Sequence, residues 1–336
     1  MADVNRQWQV AHVPQSEGMC LEKSCFGYAE VGVPEPGPGQ FLIKNSYFAC
    51  EPLVHAWVRG VPGRIDPLPV GAVLQGHAGG EIVASNHADY VFGDRVHGNG
   101  DWADYAVSDG TGLERIPDGH SIPTGMITLG MTGLCAYIGL FEIGKPKAGD
   151  VVVISAAAGG IGVIAGQLAR LAGARTIGIA GGAEKCGRLV SEVGYDAAID
   201  YKSEDVAARL AELAPEGINV FFDNVGGGVL DAALVNMAHW GRVAICGGIS
   251  GYDHPGTGVE NLILMAQRNI TMQGFWYSDY APVFAEGINR LGRWLNTGDL
   301  VEVLDIAEGF DAVPDAARGV FSGANMGKQL VHIAAD

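Results

Sequence analysis

Val151-Val152-Val153-Ile154-Ser155-Ala156-Ala157-Ala158-Gly159-Gly160-Ile161-Gly162 is the stretch whose reading decides the fold. It begins as a continuous apolar run of the kind buried on both faces of a parallel sheet. From Ile161 to Ala172 the residues Ile161, Ile164, Ala165, Leu168 and Leu171 share one helical face, and Gly173 supplies the C-cap. Between strand and helix, Ala157 to Gly162 fits G-x-G-x-x-G with Ala157 in place of the first glycine. Each small residue has a mechanical purpose: a tight turn, then Gly159 to let a pyrophosphate approach backbone N–H groups at the positive end of a helix, then Gly162 to let helix and strand pack closely. Such a motif alone is weak, but here strand, turn and helix all fall where a dinucleotide site needs them.

The same grammar repeats downstream. Strand-like runs at Thr176–Ala180, Ala197–Tyr201, Ile218–Asp223 and Arg242–Gly247 alternate with helical segments at Glu184–Val193, Asp205–Ala214 and Val229–Ala238. That alternation predicts an α/β fold with a doubly wound parallel sheet. A strand at Ile270–Phe275 and a helix from about Ala281 to Asn296 precede a tail, Val301 to Ile333, that is strand-like again and is expected to rejoin the first half. Upstream, the chain is short β-like runs, Gln40–Ser46, Glu81–Ala84, Asp94–His97 and Trp102–Val107, cut by Gly and Pro clusters. Pro34 to Gly39 is the densest of these and reads as a rigid turn. The expected organisation is a mainly β domain over 1–122, a dinucleotide-binding domain over 123–290, and a return to the first domain over 291–336.

Composition narrows the function. The 336 residues are 48% hydrophobic and 18% charged, as in a packed globular chain, and 51 glycines without a fixed period indicate many tight turns and close backbone approaches. A net charge of −17 argues against nucleic-acid or anionic-membrane partners, which need a Lys/Arg patch to displace counterions. The six cysteines, Cys20, Cys25, Cys50, Cys135, Cys186 and Cys246, form no C-x-x-C pair, so a reducing compartment is expected. With no basic-then-apolar leader and no apolar run of about 18 residues, the chain reads as a cytoplasmic protein without a membrane partner.

The second strand of the doubly wound region selects the cofactor. NAD sites commonly end it with an acidic residue for the ribose hydroxyls. Here Gly181-Gly182-Ala183-Glu184-Lys185 leaves room for a 2′-phosphate, and Lys185, with Arg188 one turn on, offers cations for it. NADPH is therefore expected over NADH, although Glu184 argues the other way and both cations could be solvated helix residues.

At these residues the chain resembles the zinc-free medium-chain dehydrogenase/reductase superfamily, in the leukotriene/prostaglandin reductase and alkenal double-bond reductase branch that includes bacterial curcumin reductases. The resemblance is carried by Gly130–Tyr137, Gly144–Asp150, the Ala-Ala-Ala-Gly-Gly-Ile-Gly turn, Gly181–Cys186, Ile199–Lys202, Phe222–Gly227 and Cys246–Tyr252, in family order, with Asn325-Met326-Gly327-Lys328 near the end. It implies a Rossmann domain joined to a GroES-like catalytic domain, and a homodimer. It also implies that Gly159, Gly160, Ile161 and Gly162 hold the pyrophosphate of NADPH, Lys185 and Tyr201 its 2′-phosphate, and Asn224 with the Cys246, Gly247 to Tyr252 loop the nicotinamide half. Phe275, Trp276 and Tyr277 would line the cleft beside the nicotinamide, with Asn325 reaching in from the tail. The first domain departs from the family: Tyr47-Phe48-Ala49-Cys50-Glu51-Pro52-Leu53-Val54-His55 puts Glu51 where an Asp is usual and His55 where an Arg is usual.

Zinc alcohol dehydrogenases of the same superfamily polarise a carbonyl with a metal held by a Cys, a His in Gly-His-Glu and a second Cys. This chain has Cys50 and Gly76-His77-Ala78, but Met131 lies near the place of the second Cys. Two candidates do not make a catalytic site, so no metal is expected; Cys50 reads as a small buried residue and His77 as a hydrogen-bonded one. The reaction must then be one whose substrate carries its own negative charge. Hydride addition to the β-carbon of an enone or enal does so, because the charge spreads onto the carbonyl oxygen as an enolate that needs only hydrogen-bond donors and an α-carbon proton. Tyr252 is the candidate donor, with packing on the cofactor as its alternative role and solvent as the alternative acid. Trp57, Trp276, Tyr277 and Tyr280 would suit a flat or elongated apolar substrate. The expected activity is NADPH-dependent double-bond reduction of small apolar enones or enals; the alternatives are an NADPH quinone reductase and a non-catalytic nucleotide-binding protein.

Overall fold

The structure is a computed structural model that describes residues 4–13, 22–252 and 258–333. Cys20 lies outside them. The chain divides into two compact units, one of Met1–Ile127, Leu304–Ala324 and Lys328–Asp336, the other of Thr128–Val303 with Asn325–Gly327.

The first unit begins with a two-stranded antiparallel sheet, β1 (Asn5–Val10) with β2 (Phe26–Val31). The strands β3 (Phe41–Ala49), β4 (Gln75–Ser85), β5 (Arg95–Asp101), β6 (Tyr105–Ser108) and β7 (Leu113–Arg115) follow, with α1 (Leu53–Arg59) between β3 and β4 and α2 (Ile122–Met126) after β7. β4 runs beyond the length expected from sequence because Gly76, Gly79 and Gly80 weaken the apolar alternation while their backbone still pairs, and β3 extends to Ala49. Phe48 stacks on Trp102 with ring centroids 5.4 Å apart, and both are fully buried. Each such ring stabilises the core by roughly 1.5–3 kcal/mol.

The second unit opens with α3 (Met131–Tyr137), and its sheet is made of β8 (Val151–Ser155), β9 (Arg175–Ala180), β10 (Ala197–Asp200), β11 (Ile218–Asp223), β12 (Met237–Ile245) and β13 (Thr271–Gly274). Among the described residues the strand order is β10-β9-β8-β11-β12-β13, with every pair parallel. This is the doubly wound order, and its reversal lies between β8 and β11, so ligands are received at the carboxyl ends of those two strands. The helices α4 (Gly160–Leu171), α5 (Ala183–Arg188), α6 (Val206–Leu213), α7 (Gly227–Asn236), α8 (Ile263–Arg268) and α9 (Phe284–Thr297) connect or follow the strands. α7 stops at Asn236 where the backbone of Met237 turns extended and the buried Met237 side chain joins β12, two residues before the end expected from sequence.

The chain then returns to the first unit. β14 (Leu304–Glu308) lies parallel to β15 (Lys328–His332), which pairs antiparallel with β3, and α10 (Val313–Ser322) connects them. The resulting sheet runs β14-β15-β3-β4-β5-β7, with β6 on β3. Among the described residues no helix is long and apolar enough to cross a membrane.

Candidate active site

The turn after β8 is built for close approach. Gly159 caps α4 without a side chain, which leaves the first-turn N–H groups of Gly160, Ile161 and Gly162 without a side-chain acceptor from the cap. A Cβ on Gly162 would stand 2.4 Å from the Ala156 carbonyl oxygen and 2.6 Å from Ala157 Cα, so only glycine lets helix and strand meet here. Ala156 has φ +46°, a left-handed conformation that costs a non-glycine residue roughly 1–2 kcal/mol. The cradle thus matches a pyrophosphate in both its donors and its missing side chains. The returning segment closes on it: Gly327 N–H donates to the Ala158 carbonyl at 2.7 Å.

The second strand leads to a cationic corner. Lys185 Nζ donates to the Asn325 carbonyl at 2.5 Å, and Asn325 Nδ2 donates to the Gly327 carbonyl at 2.6 Å, so Asn325 stands with Lys185 beside the glycine turn. A Cβ on Gly181 would lie 2.9 Å from both the Tyr201 ring and Lys202 Cε, which brings Lys185, Tyr201 and Lys202 around one loop. Gly182, at φ +97°, donates its N–H to Asp200 at 2.7 Å. That backbone bond, with further ones from the Ser203 hydroxyl and Lys202 N–H, holds the Asp200 carboxyl below its usual range. Arg188 lies one turn on in the same helical segment. It makes three hydrogen bonds to Glu192 on the next turn.

At the reversal point, Ser155 ends β8 and Asp223 ends β11, both fully buried. Ser155 Oγ donates to Asp223 at 2.7 Å and accepts the Asn224 N–H at 2.8 Å, while Asn224 Nδ2 donates to the Ser155 carbonyl at 2.8 Å. Asp223 also accepts the N–H groups of Val225 and Gly226. Burial raises the Asp223 carboxyl, and these hydrogen bonds oppose the rise. The next loop is tied to the same place, because Cys246 and Gly247 N–H donate to the Asp223 carbonyl and Ile249 N–H to that of Asn224. Asn224, Cys246 and Gly247 are therefore brought together with Tyr252, whose hydroxyl is 3.5 Å from Gly248 N. Tyr252 is 41% exposed, yet desolvation around its hydroxyl raises the phenol above its ordinary range, and it is protonated at neutral pH. The Cys135 thiol, hydrogen-bonded to Cys246, and burial raise the Cys246 thiol well above its usual value. Phe275 and Tyr277 pack on the core of this unit, Phe275 edge-on to Tyr280 at 6.0 Å and Tyr277 stacked on Phe284 at 4.5 Å; Trp276 is half-buried between them in sequence.

With the geometry in view, residues 6–116 match the family described as "N-terminal domain of oxidoreductase" and residues 160–293 the one described as "Zinc-binding dehydrogenase". An NADPH-dependent curcumin reductase of Escherichia coli (strain K12) is 34% identical over 340 residues, covering 99% of this chain and 98% of its own. The chain belongs to the zinc-free medium-chain dehydrogenase/reductase superfamily, in its double-bond reductase branch. A 2-alkenal reductase (NADP(+)-dependent) of Nicotiana tabacum is 37% identical over 307 residues, with 90% and 89% covered. The crystal structure of CurA in complex with NADPH from Vibrio vulnificus superposes with a TM-score of 0.91 at 31% identity, covering 98% of this chain and 100% of that one. Like these relatives, the chain pairs a parallel doubly wound sheet with an antiparallel-rich sheet.

The first unit of this reductase carries a second polar cluster. Cys50 is buried and its thiol is pushed up to about 12 by that burial. Glu51, at the position that departs from the family, forms a buried ion pair at 2.7 Å with Lys328 of the closing motif. His77 Nε2 lies 3.1 Å from His97 Nδ1, and among the described residues no group of three or more His, Cys, Asp or Glu side chains could hold a metal ion.

Burial lowers both imidazoles to about 3, with Lys328 adding to the effect at His77 and His77 at His97. The unfolded chain, with ordinary values near 6.5, then binds more protons than the folded one at mildly acid pH. Stability from the pair is present above about pH 6.5 and is lost as pH falls toward 3. Between pH 6 and pH 5 we expect a loss of about 2.5 kcal/mol in urea unfolding, about half of it abolished in His97→Gln. The same slope in that variant would rule the pair out as its source.

Proposed function

We propose that this reductase uses NADPH to saturate the carbon–carbon double bond of small apolar α,β-unsaturated ketones and aldehydes. The observation that carries the reading is the convergence at the carboxyl ends of β8, β11 and β12. There an uncapped helix N-terminus, the Ser155–Asp223–Asn224 lattice and the Tyr252 hydroxyl all stand in one unit. The printed activities of the E. coli and tobacco relatives support it.

NADPH, when bound, supplies a hydride for the β-carbon of the substrate. In this reading Gly159, Gly160, Ile161 and Gly162 hold the pyrophosphate through backbone N–H groups. Lys185 and Tyr201 receive the 2′-phosphate, and Asn224 with the Cys246, Gly247 to Tyr252 loop orients the nicotinamide half. Ser155 and Asp223 hold Asn224 and that loop in place without touching the reacting atoms. Phe275, Trp276 and Tyr277 flank the site, and Asn325 steadies Lys185 through its carbonyl. Tyr252 keeps its proton at neutral pH and donates toward the developing enolate.

The test is loss of reduced-cofactor absorbance on mixing the protein with NADPH and a panel of enones, enals and quinones. Turnover of enones and enals supports the proposal; turnover of quinones alone would replace it with a quinone reductase. Lys185 adds a prediction. One to three charge-assisted hydrogen bonds to the 2′-phosphate should give about tenfold or greater preference for NADPH over NADH in kcat/KM. Lys185→Ala is expected to remove most of it, and an unchanged preference would take Lys185 out of cofactor selection.

A further inference from the structure

Tyr195 follows Gly194, whose φ of +86° ends the helical segment Leu189–Val193 just before β10. Its N–H donates to the Leu189 carbonyl at 3.0 Å, which fixes the backbone, and its side chain reaches α4 with only 2% of the residue exposed. Two glycines make room for it. A Cβ on Gly166 of α4 would stand 2.1 Å from the ring carbon Cζ, and one on Gly178 of β9 would stand 3.2 Å from Cδ1. A phenylalanine ring would fill the same space, so packing alone does not call for the hydroxyl. That hydroxyl donates to the Gly162 carbonyl at 2.7 Å, a short bond made in the interior. Burial raises the phenol above its ordinary range, so it stays a donor.

Gly162 is the last glycine of the cradle, and the bond it receives is passed on. The Gly162 carbonyl shares its peptide with the Val163 N–H, which donates to the Gly159 carbonyl at 3.0 Å. The Gly159 carbonyl in turn shares its peptide with the Gly160 N–H, at the first position of α4, where the helix has no carbonyl to offer it. The phenol and the two peptides therefore form one aligned chain, from the core to an N–H at the positive end of the helix. Each bond in such a chain polarises the next by roughly 10–30%. Tyr195, although outside α4, acts as one more unit of its ladder.

We propose that Tyr195 is a positioning residue for NADPH, whose buried hydroxyl holds the first turn of α4 in place and strengthens its N–H donors toward the pyrophosphate. The role rests on the reading of Gly159 to Gly162 as the pyrophosphate site; the bond chain itself stands on the distances. The pyrophosphate is common to both nicotinamide cofactors, so Tyr195 differs in kind from Lys185. Lys185 selects between NADPH and NADH, whereas Tyr195 sets the affinity for both.

Tyr195→Phe in the full-length protein keeps the ring and removes the hydroxyl. The dissociation constants of NADPH and NADH, read by reduced-nicotinamide fluorescence, are both expected to rise about threefold, the share of charge-assisted contacts that one polarising bond supplies. Their ratio should stay as in the wild type, and adenosine 2′-phosphate, which lacks the pyrophosphate, should compete equally well for both proteins. The Gly160 amide nitrogen-15 shift should also move in the cofactor-free variant, because that N–H loses polarisation. A folded variant with wild-type affinity for both cofactors would overturn the proposal and leave Tyr195 as packing. Equal weakening of adenosine 2′-phosphate would overturn it too, because it would mark a general distortion of the domain. Should the variant fail to fold, the wild type carries the test by reciprocity. With carbon-13 at tyrosine Cζ, NADPH is expected to shift the Tyr195 resonance and adenosine 2′-phosphate to leave it in place; no shift with NADPH refutes the coupling. If the wild-type Gly160 and Gly162 amides do not respond to NADPH at all, the pyrophosphate reading itself fails, and the role of Tyr195 falls with it.

Discussion

Replacing Lys328 by methionine is expected to destabilise the protein by about 3–5 kcal/mol in urea unfolding, more than the loss of one ordinary core contact. The Glu51 and Lys328 side chains are only 10% and 8% exposed, and Lys328 Nζ stands 2.7 Å from Glu51 Oε2. Removing the ammonium leaves a carboxylate in the interior with its main partner gone, and the desolvation already incurred is no longer offset. Glu51→Gln together with Lys328→Met removes both charges, so the double variant should be more stable than Lys328→Met alone. The pair also joins two distant parts of the first unit, since Cys50 N–H donates to the Gln329 carbonyl and β15 pairs with β3 through Leu330, Val331 and His332. The loss should therefore appear as earlier release of β15 in hydrogen exchange. A single-variant cost under about 1 kcal/mol would show that strand pairing holds β15 without the ion pair.

How much of this was legible in the sequence depends on how far apart the interacting residues are. The turn from Ala156 to Gly162 is local, and small-residue spacing maps directly onto backbone geometry, so the cradle and the parallel sheet around it could be read from the residues. Even there one detail is hidden: Ala156, not a glycine, takes the left-handed conformation. For Arg188 the sequence leaves a phosphate cation and a solvated helix residue both open, and the structure adds its contact with Glu192, four residues on. Ser155 with Asp223 and His77 with His97 are separated by 68 and 20 residues, and their contacts are set by strand order and register. No periodicity in the chain encodes that register. Lys328 with Glu51, 277 residues apart, is the extreme case: the substitution at position 51 was visible, but its partner was not until β15 was seen to return to β3.

Tyr252→Phe is expected to lower kcat by about 10²–10⁴-fold at saturating NADPH and enone while leaving the NADPH dissociation constant nearly unchanged. The substitution keeps the aromatic ring and removes only the hydroxyl, which accepts from Gly248 N–H at 3.5 Å. Desolvation raises the phenol above its ordinary range, so its proton stays available for donation at neutral pH. Two competing roles leave different signatures. A tyrosine that only orients the cofactor would weaken NADPH binding in a titration and leave the saturated rate intact. Protonation by solvent alone would leave both quantities where they were. A hydroxyl that stabilises the enolate oxygen acts during hydride transfer, so its loss should also slow single-turnover NADPH oxidation. A Tyr252→Phe variant with an unaltered kcat would remove the hydroxyl from the reaction and leave the enolate to be stabilised by backbone donors of the Cys246 to Tyr252 loop.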